Sequence, residues 1–341
     1  MGPSLRERVG QMLLVGFRGM TVEEAEPTRS LIADGLLGGI LLFSVDQPTG
    51  GPRNVGSADQ LRALVDGLSS ASLSQPLLVA IDQEGGQVAR LGPSHGFPAT
   101  PSAAEMGLGT PEQTRQIAAG MAETLAAVGV TLNLAPVVDL AINPDNPIIA
   151  GIERSFSADP EVVIAHATAF IQAHHAIGIR CAAKHFPGQG SASGDTHLGV
   201  VDVTDAWTET ELQPFAALAD AGIADGVLTA HIFNANLDAD HPATLSQPTV
   251  TGILRQQLRY DGVVISDDLQ MGAITAQYGY PEAVALAIEA GIDILLIANQ
   301  IVYEPDIVVR TLDLIEGFVR DGRISEARIQ ASYERILALK G

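Results

Sequence analysis

Ile179-Arg180-Cys181-Ala182-Ala183-Lys184-His185-Phe186-Pro187-Gly188-Gln189-Gly190-Ser191-Ala192-Ser193-Gly194-Asp195-Thr196-His197 begins as a short apolar run and turns, without a linker, into a glycine-rich segment loaded with polar groups. The run 179–183 has the length and near-continuous hydrophobicity of a strand covered on both faces, as parallel strands are. From Lys184 to His197 the chain carries one ammonium, two imidazoles, one carboxylate and three glycines. Unpaired polar groups taken out of water cost about 1 to 3 kcal/mol each, so a buried strand is not expected to hold them. The segment is therefore expected to be a site loop. Asp195 and His197 stand two residues apart, close enough in a turning loop for the carboxylate to orient the imidazole for proton transfer near neutral pH. On this segment alone, a solvated loop displaying polar residues accounts for the sequence equally well.

Seven more runs resemble 179–183: residues 12–17, 39–43, 77–81, 131–138, 226–230, 262–266 and 294–298. Between them lie segments of helical periodicity at 22–34, 57–70, 111–128, 160–177, 209–221, 248–258 and 281–290, and two more, 304–320 and 325–339, follow the last run. Pro111, Pro160 and Pro281 fall in first helical turns, where a missing N–H costs nothing, and Thr110 and Asp159 are placed as N-caps. Gly129, Gly178, Gly222 and Gly291 each close a helix just before a strand. Eight strand–helix units with no linker or composition shift predict a single-domain (β/α)8 TIM-type barrel over residues 1–341. The competing doubly wound sheet wants a phosphate-binding glycine fingerprint after an early strand, and Gly16 to Gly19 lacks the third glycine and the acidic partner.

Bulk composition narrows the function. The 341 residues are 46% apolar and 17% charged, with 35 glycines, which suits a compact core with many turns. A net charge of −21, from 40 acidic and 19 basic residues, repels phosphate backbones and anionic lipid. Nucleic acid and membrane are therefore not expected partners. The charged start of the chain has no apolar signal segment and no run is long enough to span a bilayer, which predicts a cytoplasmic protein. A lone cysteine, Cys181, excludes an internal disulfide and reads as core. Oligomeric state is left open, a monomer sufficing.

In a barrel, residues just after each strand gather at one face. Those positions here are Asp82 to Arg90 after the third run, Asp139 and then Glu153-Arg154-Ser155-Phe156 after the fourth, and Lys184-His185 with Asp195 and His197 after the fifth. His231 follows the sixth, and Ser266-Asp267-Asp268 the seventh. Each has a plain alternative: Asp82 and Asp268 as helix caps, Arg154 as a surface residue. Five such clusters at one rim are harder to dismiss.

The segments 82–90, 153–156, 184–197 and 266–271 together resemble the signature stretches of glycoside hydrolase family 3, specifically its β-N-acetylglucosaminidase branch. The resemblance spans nearly the whole chain. It implies a barrel-only enzyme without cofactor or metal, acting on a small carbohydrate, terminal β-linked N-acetylglucosamine of cell-wall or chitin-type oligosaccharides, and it suggests a place in peptidoglycan recycling. It further implies that Asp267 is the nucleophile and His197 the general acid/base held by Asp195, while Asp82, Arg90, Arg154, Lys184 and His185 bind the sugar. Two positions depart from the pattern: Gln189 stands where the family usually has histidine, and Thr196 where it usually has serine.

The rival readings keep the barrel and change the chemistry. A phosphorylase of the same family would replace water by phosphate. A Schiff-base lyase would use Lys184. A metallo-hydrolase would be built on His185, His197 and His231, but Leu14 to Phe17 in the first run add no ligand. A non-catalytic sugar-binding barrel would keep only the pocket.

Overall fold

The computed structural model describes residues 2–341; Met1, the first residue of the charged start noted above, lies outside the described residues. Eight parallel strands form one sheet: β1 (Leu13–Gly16), β2 (Gly39–Leu42), β3 (Leu78–Ile81), β4 (Leu132–Asn133), β5 (Arg180–Phe186), β6 (Gly226–Thr229), β7 (Val263–Ile265) and β8 (Leu295–Ile297). Neighbours in sequence are neighbours in the sheet, and β8 returns to pair with β1, Leu13 opposite Leu295 and Val15 opposite Ile297. The seam between β7 and β8 closes through the bridge Ile265–Ile294 and the bond from Ile294 N–H to Val264 O at 3.0 Å. Asp293 pins that seam: its buried carboxylate accepts from Val264 N–H at 3.1 Å, Arg255 at 2.5 Å and Ser332 at 2.7 Å. The sheet is thus a closed (β/α)8 barrel, as the eight runs predict.

Helices α1 (Leu5–Gln11), α2 (Glu26–Ala33), α3 (Ala58–Ser69), α4 (Pro111–Ala127), α5 (Pro160–His175), α6 (Gln213–Asp220), α7 (Gly279–Ala290), α8 (Ile307–Arg320) and α9 (Glu326–Lys340) make the outer layer. Ser57 and Thr110 cap α3 and α4 in capping boxes with Gln60 and Gln113, and Asp159 caps α5. Gly291, at φ +119°, ends α7 and lets the chain turn into β8. Arg6 pairs with Asp313 at 2.8 Å and Arg8 with Glu326 at 2.8 Å, so α1 is tied to α8 and α9. Among the described residues, no helix is long and apolar enough to cross a membrane.

The structure corrects several boundaries. The run 131–138 is a regular strand only at Leu132–Asn133 and meets β5 again at the isolated bridge Val137–Lys184. Segment 22–34 is helical only from Glu26, 209–221 breaks into a 3-10 turn (Glu209–Leu212) before α6, and 248–258 is a wide π-type helix over Pro248–Gln257. The most informative difference is in β5. Lys184, His185 and Phe186 belong to the strand and are buried, not to the loop. The polar load that seemed to forbid this is paired there, side chain by side chain, with carboxylates from the segments that follow β3 and β4.

Candidate active site

A cavity of about 670 Å³ opens at the C-terminal ends of the strands, and all eight candidate residues line it: Asp82, Arg90, Arg154, Lys184, His185, Asp195, His197 and Asp267. Asp82 follows β3 directly. A small hairpin, Gln83–Gly85 with Val88–Ala89, then folds over the rim and brings in Glu84 and Arg90. Lys184 and His185 project from the end of β5, and Asp267 follows β7.

One side of the cavity is a charge lattice. The Lys184 ammonium lies 2.7 Å from Asp82 and 2.7 Å from Glu84. Arg154 grips Glu84 with two parallel bonds, 2.7 and 2.8 Å, and Arg90 reaches Asp82 at 3.4 Å. Burial pushes the Asp82 and Glu84 carboxyls up, but the cations outweigh it, Lys184 and Arg90 around Asp82 and Arg154 and Lys184 around Glu84. Both carboxyls are held below their usual range, Glu84 far below. Burial pulls Lys184 down, yet the two carboxylates raise it, so it stays an ammonium. The result is a rigid wall of fixed donors and acceptors, the arrangement that satisfies sugar hydroxyls.

Glu84 was not among the residues expected to bind substrate, yet it holds two of them. Replacing it as Glu84→Gln leaves two cations buried beside one fewer charge, and is expected to cost about 3–5 kcal/mol of stability at pH 7 in urea unfolding. Its folded value lies below the ordinary 4.5, so this contribution is present above pH 4.5 and lost as pH falls beneath it. The gap between wild type and variant should therefore narrow on acidification; a gap that stays constant to pH 3 would show the charge is not involved.

His185 is fixed from both sides. Its Nδ1 lies 2.7 Å from Asp139, and its Nε2 is 3.2 Å from the Arg154 guanidinium, which can only donate. Nδ1–H therefore donates to Asp139 and Nε2 accepts. Asp139, like Glu84, was not expected to hold the site together; its position after the fourth run marked it as a rim carboxylate, but nothing local pointed to His185, 46 residues on.

Asp267 lines the same cavity and is half-buried. Burial pushes its carboxyl up, but His231, His185, His197 and the Asp268 N–H outweigh this and hold it below the usual range. Burial also lowers His231, so at neutral pH the Asp268 N–H, 2.8 Å from Oδ1, is the donor that remains in place. Among the described residues Oδ2 takes no protein hydrogen bond. The adjacent Asp268 differs: burial and Asp267 push it up to about 6, although it accepts the N–H groups of Ala298 and Gln270, 2.9 and 3.1 Å away. It staples the end of β7 to that of β8.

On the loop after β5, Asp195 Oδ1 sits 2.6 Å from His197 Nδ1 and 2.9 Å from its backbone N–H. The pairing expected from their spacing is present, and it turns Nε2 outward. The His197 side chain is 58% exposed, whereas Thr196 between the two is buried. Gln189, buried beneath, donates to Thr196 Oγ1 at 3.3 Å. The two positions that depart from the family pattern therefore touch. Gln189→Ala and Thr196→Ala are expected to be coupled by about 0.5–1.5 kcal/mol in a double-mutant cycle on turnover; strictly additive losses would show the contact carries nothing.

Comparison with known proteins agrees with this geometry. The profile described as "Glycosyl hydrolase family 3 N terminal domain" matches residues 4–339. A β-hexosaminidase of Tolumonas auensis is 35% identical over 84% of this chain and 82% of its own. The crystal structure of a β-N-acetylhexosaminidase from Beutenbergia cavernae superposes with a TM-score of 0.89 at 34% identity, covering 100% of this chain and 99% of that one. A family 3 β-N-acetylglucosaminidase from a Paenibacillus species gives 0.90 at 34% identity, covering 99% of this chain, which spans only 62% of that protein. A barrel with this rim chemistry is a glycoside hydrolase. The chain belongs to glycosyl hydrolase family 3.

Proposed function

We propose that this chain is a retaining, exo-acting β-N-acetylglucosaminidase that releases terminal β-linked N-acetylglucosamine from cell-wall or chitin-type oligosaccharides. The observation that carries the reading is a half-buried carboxylate held in its charged form, Asp267, in the same cavity as an imidazole whose far nitrogen is free, His197. The names of the relatives, β-hexosaminidase and β-N-acetylglucosaminidase, supply the sugar.

In the first step Asp267 attacks the anomeric carbon as its bond to the aglycone oxygen breaks, and His197 Nε2 donates a proton to that oxygen. In the second, His197 takes a proton from water, the water oxygen attacks the same carbon and Asp267 leaves. Two displacements at one carbon retain configuration. The positive charge that develops on the sugar ring meets the Asp267 carboxylate, while Asp82, Arg90, Arg154, Lys184 and His185 hold hydroxyls and the acetamido group. Asp195, bonded to Nδ1, keeps Nε2 the working nitrogen.

Two of the rivals weaken on specific contacts. Lys184 is kept an ammonium between two carboxylates, which disfavours an imine. Both ring nitrogens of His185 and of His231 already face protein partners, which leaves no ready metal-binding set. The test is a panel of aryl β-glycosides, with and without phosphate. Preferred release of N-acetylglucosamine, first as the β-anomer by NMR, supports the reading; sugar 1-phosphate as main product replaces it with a phosphorylase.

A further inference from the structure

The loop that bears Asp195 and His197 is rooted between two buried carboxylates. On one side Asp139 accepts the N–H groups of His185, at 3.2 Å, and Gln189, at 2.7 Å. On the other, Glu211 on the 3-10 turn Glu209–Leu212 accepts those of Gly190, at 2.8 Å, and Ser191, at 3.3 Å, both through Oε2. Glu211 is 1% exposed, and its Oε1 is buried without a hydrogen-bond partner. The passage is narrow. Gly188 takes φ +115°, and a Cβ there would fall 2.5 Å from Glu211 Cβ; at Gly190 it would fall 1.9 Å from Leu140 O. Residues 188–191 are thus held with no room to shift, while the His197 side chain a few residues on is open to solvent.

We propose that Glu211 is a positioning residue for the acid/base loop: by clamping the backbone of Gly190 and Ser191 it sets where Asp195 and His197 stand over the cavity. This deepens the reading of His197 given above and rests on it. Glu211 touches neither His197 nor the cavity lining, so it acts through the chain between. The side chain of Gln189 adds a second path, reaching Thr196 from the same clamped segment.

The clamp depends on charge. A carboxylate makes stronger bonds to two N–H groups than a neutral carboxyl does. Burial pushes Glu211 up to about 7; hydrogen bonds from Ser191 and Gly190 hold it back only in part, and Asp139 across the loop adds to the rise. Residues 188–191 contribute no titratable group, and Glu209 on the same turn is exposed. Because the folded value lies above the ordinary 4.5, the stability Glu211 contributes is present in full below that value and is lost as pH rises through about 7. The clamp tightens over the same interval, so loop order and global stability move in opposite directions across neutrality.

The experiment uses the full chain. Amide exchange of residues 188–198, corrected for intrinsic rate, is followed without substrate at pH 6 and 8 in wild type, Glu211→Ala and Glu211→Gln, beside kcat/KM on N-acetylglucosaminides with good and poor leaving groups. Glu211→Ala should speed exchange in this loop about tenfold or more. It should also lower kcat/KM about 10- to 100-fold on the poor leaving group but less than about threefold on the activated one. Glu211→Gln, which keeps an acceptor oxygen but not the charge, should restore only part of the protection and remove its change between pH 6 and 8. Wild-type exchange in a folded Glu211→Ala, or equal losses on both substrates, overturns the proposal. If that variant does not fold, pH-dependent protection retained in Glu211→Gln overturns it instead. Exchange is read without substrate, so a chain that cleaves no N-acetylglucosaminide would sink the functional reading while the clamp is still judged.

Discussion

Turnover of an aryl β-N-acetylglucosaminide should fall by at least about a thousandfold in Asp267→Asn, with KM nearly unchanged. The substitution is nearly isosteric, and the amide oxygen can keep the Asp268 N–H bond that Oδ1 now accepts at 2.8 Å. What disappears is the charge facing the developing oxocarbenium ion and the oxygen that bonds to it, two effects that act only as the reaction proceeds. The ground-state contacts of the sugar are assigned to the lattice of Asp82, Glu84, Arg154 and Lys184, none of which hydrogen-bonds to Asp267. A loss confined to kcat is therefore the signature. Asp268 is the neighbour most easily mistaken for the nucleophile, but its Oδ1 is already occupied by two backbone N–H groups, those of Gln270 and Ala298, and it serves to staple the strand ends. Trapping with a fluorinated N-acetylglucosaminyl donor that slows the second step should add one sugar to the peptide bearing Asp267. Wild-type turnover in Asp267→Asn, or a label elsewhere, would refute the assignment.

The barrel was legible because its signal is repeated. Eight apolar runs with capped helices between them leave few alternatives, and a boundary error in one, such as the strand that ends at Asn133 before Pro136, does not alter the closure. Local pairs were legible too: Asp195 and His197 are two residues apart, and their contact follows from spacing. What could not be read was pairing across the barrel. Glu84 meets Arg154 over 70 residues of separation, Lys184 meets Asp82 over 102, and Gly190 meets Glu211 over 21. Such contacts are set by strand order and register, and the sequence shows only that carboxylates and cations are plentiful near strand ends. The same blindness explains the misplaced start of the site loop. Lys184 and His185 look too polar for a strand until Asp82, Glu84 and Asp139 are known to converge on them.

The second large effect is expected at His197, and its pattern matters more than its size. With a sugar or alkyl leaving group, departure without a proton is slow, so His197→Ala should cost about 10²- to 10⁴-fold in kcat/KM. A dinitrophenyl leaving group departs as a stable anion and needs no acid, so its kcat/KM should hardly change. The second step still lacks a base. The glycosyl-enzyme should then accumulate, lowering both kcat and KM on the activated substrate and producing a burst of phenolate. Azide attacks without needing deprotonation, so it should restore turnover and yield the β-azide with retained configuration. Such a rescue requires His197 Nε2 to face the reacting carbon from the side where the aglycone leaves and water enters, with Asp195 holding Nδ1. Equal losses on both substrates with no azide effect would show that the exposed imidazole only supports the loop, and the proton would have to come from another group lining the cavity.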